Sequence, residues 1–206
     1  MTTPSTLHLY GFRLSGHVHR VRLFLTLLGI PFDEEEVDLK GGAHKRPEFL
    51  ARNPFGQVPV LDDGPVTLAD SNAILVYLAG KYDGAGRWLP RDPVGQALVQ
   101  RWLSAAAGPL AHGPARARAS VVFGRPRDPA HLEVARALFT TMEGHLAGRS
   151  WLAADHPTIA DIAMYTYTAH APEGGVSLAE YPNLRGWLAR VEALPGFVGM
   201  ARSPAA

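Results

Sequence analysis

The chain contains no cysteine. It can form no disulfide and no thiolate metal site, and any thiol chemistry must use a sulfur carried in by a ligand. Strong charge of either sign is also missing: 20 Lys and Arg against 19 Asp and Glu leave a formal charge of +1. No field of one sign is there to draw in nucleic acid or an anionic membrane. No apolar run is long enough to span a bilayer, and the start, Met1 to Thr6, does not read as a signal peptide. These absences predict a cytoplasmic protein with no metal, no nucleic acid and no membrane partner. What is present is ordinary globular material, 206 residues with 47% apolar and 19% charged. That is enough to bury a core in one large or two small domains.

The most informative stretch runs from Asn53 to Ser71, NPFGQVPVLDDGPVTLADS. It opens with a turn, Asn53-Pro54-Phe55-Gly56, followed by an apolar strand from Val58 to Leu61 that contains a proline. The turn Asp62 to Pro65 reverses the chain, and Val66 to Ala69 can pair back. Asp70-Ser71 then stands where an apolar-periodic helix begins. Pro59 cannot donate to a sheet ladder, so it belongs at an edge or bulge. A cis Val58–Pro59 bond would turn the Val58 amide and carbonyl outward, where a short peptide could add as a strand. A helix start at Asp70-Ser71 is a place to hold the charged end of such a peptide. Read alone, Asp70 is simply an N-cap.

The rest of the chain divides in two. Leu7 to Tyr10 reads as a buried strand. A helix follows from Gly16, with Val21, Leu25 and Leu28 at helical spacing and Gly29 and Pro31 as stop signals. Phe32 to Val37 reads as a second strand, its acidic run a solvated edge. Strand, helix, strand implies a parallel pair. Lys40 to Arg46 is a loop whose Lys45 and Arg46 read as solvated, and Pro47 to Arg52 is one helical turn. Residues 1–83 are thus expected to form a mixed α/β domain, and 84–93 (GAGRWLPRDP) a linker. Residues 94–206 carry no strand signal and are expected to be all helix. A kink is predicted at Gly108-Pro109, a helix over Leu132 to Leu146, and a capped helix from Thr158-Ile159-Ala160-Asp161 to about His170.

Asn53-Pro54, Gly56-Gln57-Val58-Pro59-Val60-Leu61 and Asp70-Ser71-Asn72-Ala73-Ile74-Leu75 together resemble the glutathione-binding half of the cytosolic glutathione transferases. Ser15-Gly16-His17-Val18-His19-Arg20-Val21 resembles their serine-type bacterial branch. The resemblance implies a thioredoxin-like first domain and an all-α second one, a cis Pro59 beside Val58, and an Asp70-Ser71 pair gripping the γ-glutamyl end of glutathione. It implies that Ser15 donates to the glutathione sulfur, that His44 and Gln57 meet the glycyl carboxylate, and that the protein is a homodimer. A histidine at position 17, where many relatives have Asn, departs from the pattern. A neutral His17 is expected as a second donor near the sulfur, since positive charge is disfavoured at a helix N-terminus.

At neutral pH most glutathione sulfur is protonated, because a free thiol has a pKa of about 8.5. Activation needs about 1.4 kcal/mol of preference for the thiolate per unit of pKa depression. A hydroxyl donor at a helix N-terminus can supply it; the plain alternative is that Ser15 only caps the helix. The electrophile would lie between the domains, with Phe12, His112, Arg116 and Tyr165 as candidate walls, each readable equally as packing or surface. The leading expectation is a glutathione transferase with glutathione as cosubstrate and a small electrophile as acceptor. A glutathione-dependent disulfide reductase or isomerase would use the same site, and a non-catalytic interaction module would share only the fold.

Overall fold

The computed structural model describes residues 7–204. The reading of Met1 to Thr6 as no signal peptide lies outside the described residues. Strand β1 (Leu7–Gly11) buries Leu7 and Leu9 and leads into helix α1 (Gly16–Leu27), which packs Val18, Val21 and Leu25 inward. Gly29, at φ 65°, ends that helix, as the C-cap reading predicts. Strand β2 (Phe32–Glu36) pairs parallel with β1 as a largely exposed edge. Of its acids, Glu34 pairs with Arg22 and the Glu36 carboxylate accepts from the Arg13 amide at 3.0 Å, both within the first half. A 3-10 turn (Ala43–Lys45) and a single helical turn, α2 (Pro47–Leu50), come next.

Strands β3 (Val60–Asp63) and β4 (Val66–Ala69) form an antiparallel hairpin, and the four-stranded order is β2-β1-β3-β4. The strand expected from Val58 begins two residues later, since Pro59 has no N–H for a ladder. Asp62 and Asp63 belong to the strand, and the reversal shortens to Gly64-Pro65. The Val58–Pro59 bond is cis. Helix α3 (Ser71–Tyr82) closes the α/β half.

Among the described residues no strand follows Ala69. Helix α4 (Pro93–Ala105) starts on an Asp92 cap with proline in its first turn, where the missing N–H costs nothing. It runs into a π-helical segment (Ala106–Ala115), then α5 (Arg116–Val122). The break falls at Gly108 (φ −94°, ψ −106°), where the kink was expected. Helix α6 (Pro129–Leu146) begins three residues before the predicted Leu132, because Asp128 caps it ahead of Pro129. Helix α7 (Ile159–Ala169) is buried along nearly its whole length; a 3-10 turn (Ala171–Gly174) and helix α8 (Pro182–Glu192) follow.

One apolar cluster runs through both halves, joining Leu9, Phe24 and Ile74 to Trp102, Phe139 and Trp187. Asp161 lies at its centre as a structural residue. Its carboxylate accepts from the Thr158 amide at 2.9 Å, the Leu152 amide at 3.0 Å and Trp187 Nε1 at 2.9 Å. His19 joins α1 to the second half. Its Nδ1 lies 2.9 Å from Thr166 Oγ1, and its Nε2 lies 2.9 Å from the Val198 carbonyl.

Candidate active site

The site begins at the corner between β1 and α1. The Ser15 amide donates to the Phe12 carbonyl at 2.8 Å, which closes a tight turn. Ser15 caps α1, but its Oγ accepts from the Val18 amide at a long 3.4 Å. No acceptor among the described residues takes the hydroxyl proton. Gly16 must be glycine because a Cβ there would stand 2.6 Å from the Tyr167 ring. Arg118 holds the preceding Leu14 carbonyl through Nη1 at 2.7 Å.

Ser15 opens onto a small cleft of about 120 Å³ whose walls include Phe12, Leu14, Ala115, Arg118 and Tyr167. Leu39, Val122 and Phe123 are shared with an adjoining cleft of about 400 Å³, which adds Lys40, His44 and Arg125. Apart from Arg118, the walls beside Ser15 are mainly apolar, and further basic side chains lie beyond. His44 is half-buried, and its Nδ1 has no hydrogen-bond partner. Phe12 stacks on Phe123 with ring centres 6.2 Å apart.

The segment before β3 is braced by Asn53, which is buried. Its Nδ2 donates to the Gln57 carbonyl at 2.8 Å, and its Oδ1 accepts from the Phe55 amide. Lys45 is exposed, as expected, and its ammonium also donates to the Phe55 and Gly56 carbonyls at 3.2 and 3.1 Å, because that turn leaves both without a ladder partner. Gln57 is exposed. The ladder starts at Val60, and no hydrogen bond from the described residues reaches the Val58 backbone.

At the start of α3, Asp70 is the N-cap: its Oδ1 accepts from the Asn72 and Ala73 amides at 2.9 and 3.0 Å. Its backbone sits at φ 71°, unusual for a residue other than glycine. Ser71 is buried. It accepts from Arg20 Nη1 at 2.8 Å, and the same nitrogen reaches Asn72 Oδ1 at 2.8 Å. Arg20 is only 1% exposed, and its Nε and Nη2 have no partner. Burial lowers its pKa to about 10, while Tyr167 and Asp70 pull upward; it remains a cation at neutral pH.

His17 stands at this end of the site. Its Nδ1 is 3.4 Å from Ser71 Oγ and its ring meets Tyr167 edge-on at 5.0 Å. Burial first and the Arg20 charge second push its pKa down to about 3, so it is neutral. It lines neither cleft.

Of the four expected acceptor walls only Phe12 lines a cleft. Tyr165 is buried in the core, where its hydroxyl donates to Glu192 at 2.9 Å and its ring packs edge-on to Phe197. His112 and Arg116 are exposed and line neither cleft. Arg118 and Tyr167 take their place. No group of residues able to hold a metal ion exists among the described residues, and none of their helices is long and apolar enough to cross a membrane.

A mixed four-stranded sheet ending in a capped helix, joined to an all-helical half with a serine corner between them, defines a class that two family models recognise. "Glutathione S-transferase, N-terminal domain" matches residues 5–80 and "Glutathione S-transferase, C-terminal domain" matches residues 108–195. The chain belongs to the glutathione S-transferase family. It is 35% identical to glutathione S-transferase 3 of Zea mays over 93% of this chain and 91% of that one. It is 32% identical to glutathione S-transferase theta-1 of Bos taurus over 93% and 85%. Among solved structures it resembles a possible glutathione S-transferase from Rhodopseudomonas palustris, with TM-score 0.89, 36% identity and coverage of 97% and 100%. A glutathione transferase homologue from Drosophila mojavensis, solved with bound glutathione, aligns at TM-score 0.82 and 29% identity over 92% and 89%.

Proposed function

We propose that this protein is a glutathione transferase in which Ser15 activates the thiol of bound glutathione. The tripeptide lies along the Val58 backbone beside Pro59, with its γ-glutamyl end at Asp70 and Ser71 and its glycyl carboxylate toward His44 and Gln57. Arg20 supports the first contact by fixing Ser71 and Asn72. His17, neutral and set against Ser71, serves the γ-glutamyl end. The sulfur faces Ser15, whose uncommitted proton stabilises the thiolate, aided by the α1 N-terminus. The thiolate then attacks an electrophile held in the apolar cleft beside Phe12, forming a carbon–sulfur bond and expelling a leaving group or opening a strained or unsaturated centre. The observation that carries this reading is Ser15 itself: it caps α1 only weakly and lines an apolar cleft.

The domains are read as 1–83 and 94–206 with 84–93 between them, and the protein as a homodimer. Support for the dimer comes from apolar side chains left in solvent, with Phe55 77% and Val94 70% exposed. A cytoplasmic location suits a cosubstrate that must be a free thiol, which reducing compartments maintain.

Titrating glutathione while recording thiolate ultraviolet absorbance tests the assignment. Saturable binding with a thiol pKa below the free value is expected. Ser15→Ala should lower kcat at least about a hundredfold with glutathione KM within about threefold, because the lost interaction belongs to the thiolate. Equal effects on both parameters would remove Ser15 from the chemistry.

A further inference from the structure

Two side chains from the second half build the corner on which Ser15 sits. Tyr167 lies against Gly16. Arg118, on α5, is 3% exposed and carries three distinct relations. Its Nη1 donates to the carbonyl of Leu14, the residue before Ser15, at 2.7 Å. Its Nε donates to Glu173 Oε2 at 2.8 Å. Its Nη2 is buried without a partner, and the residue forms part of the wall that Ser15 shares. Glu173 is delivered by the 3-10 turn packed directly on α5, where a Cβ on Gly174 would stand 2.7 Å from the Arg118 backbone nitrogen. The other Glu173 oxygen lies 2.6 Å from His170 Nδ1, and the Ser203 amide reaches Oε2 at 3.4 Å, so its negative charge is shared among three partners.

Burying a guanidinium costs several kcal/mol of lost hydration, even when paired. Holding one loop carbonyl needs only a neutral donor. The excess is a fixed charge that arginine does not lose near neutral pH. We propose that Arg118 is a positioning residue for the Ser15 corner: it pins the Leu14 carbonyl and keeps a buried positive charge at the wall of the apolar cleft, with Glu173 moderating that charge. The proposal rests on the reading of Ser15 as the donor to a guest thiol. In a poorly screened cleft the charge favours a thiolate without touching it, and Glu173 opposes that bias.

The measurement is the pKa of glutathione's thiol bound to the full-length protein, read from thiolate absorbance against pH. The proteins compared are the unaltered chain, Arg118→Met, Arg118→Lys and Glu173→Gln. Arg118→Met is expected to raise the bound thiol pKa by about one unit and to lower kcat, with glutathione KM changed less than about twofold. Arg118→Lys keeps the charge and should recover most of the shift. Glu173→Gln removes the opposing charge and should move the pKa downward. A merely structural arginine would give Arg118→Met and Glu173→Gln shifts of the same sign, since each loosens one contact, and that result overturns the proposal. An unmoved pKa in Arg118→Met does so too. Should Arg118→Met fail to fold, a Glu173→Gln shift that is absent or upward is decisive against it. If the unaltered protein binds no glutathione, or binds it with an undepressed thiol, the reading of Ser15 fails first and carries this proposal with it.

Discussion

Asp70 holds a backbone conformation that costs a non-glycine residue about 1–3 kcal/mol, and its cap to Asn72 and Ala73 offsets part of that. Both amides go to Oδ1, which leaves Oδ2 for a guest. Capping and binding can therefore be separated at this one residue. Asp70→Asn keeps a good cap and tolerates positive φ, so thermal stability should change little while glutathione affinity falls about tenfold with the lost charge. Asp70→Ala should lose the affinity and a further ~1 kcal/mol of stability. Calorimetric titration and thermal unfolding read the two effects; an Asp70→Asn variant with full affinity would leave Asp70 a cap and nothing more. Asp70, Ser71, Ser15 and Pro59 were legible because each carries a local signal of a helix start or a chain corner. Arg20 was not legible, since a lone cation beside Val21 reads as solvated until the fold places Ser71 and Asn72 in its path.

Helices were found from the sequence more reliably than the faces they present. The sequence reading puts acceptor walls at Arg116 and Tyr165, whereas the cleft is walled by Arg118 and Tyr167. In both helices the difference is two residues, which carries a side chain about 200° around the axis. Composition and turn signals fix where a helix starts. Which stripe meets the other half depends on packing between distant elements, such as Gly16 against Tyr167. The capped α7 succeeded because its signal is local, Thr158 with Asp161. That carboxylate anchors three separate segments, so Asp161→Ala would strand buried amides and the Trp187 indole N–H together. A loss of about 3–5 kcal/mol in denaturant unfolding is expected, with the activity of the surviving folded fraction retained.

At the scale of the molecule, His19 spans the two halves as a buried neutral imidazole. Burial lowers its pKa from 6.5 to about 4, only partly opposed by the Val198 carbonyl. The unfolded chain therefore takes up this proton first. The stabilisation is present above pH 6.5 and is lost at about 1.4 kcal/mol per unit as pH falls toward 4. His17, depressed in the same direction, adds to the trend. Unfolding free energies from denaturant titration at pH 7 and pH 5 should differ by roughly 2 kcal/mol from His19 alone, and His19→Gln should flatten that dependence. Light scattering should give twice the 22.2 kDa chain mass; the chain mass itself would refute the dimer. The interior joining Leu9 and Phe24 to Phe139 and Trp187 has one further consequence. Neither portion should behave as a portable module. Fragments expressed separately, cut anywhere in 84–92, would each carry an unfinished oily surface and would need the other to complete it, so a nicked molecule should stay clasped and unfold in a single step.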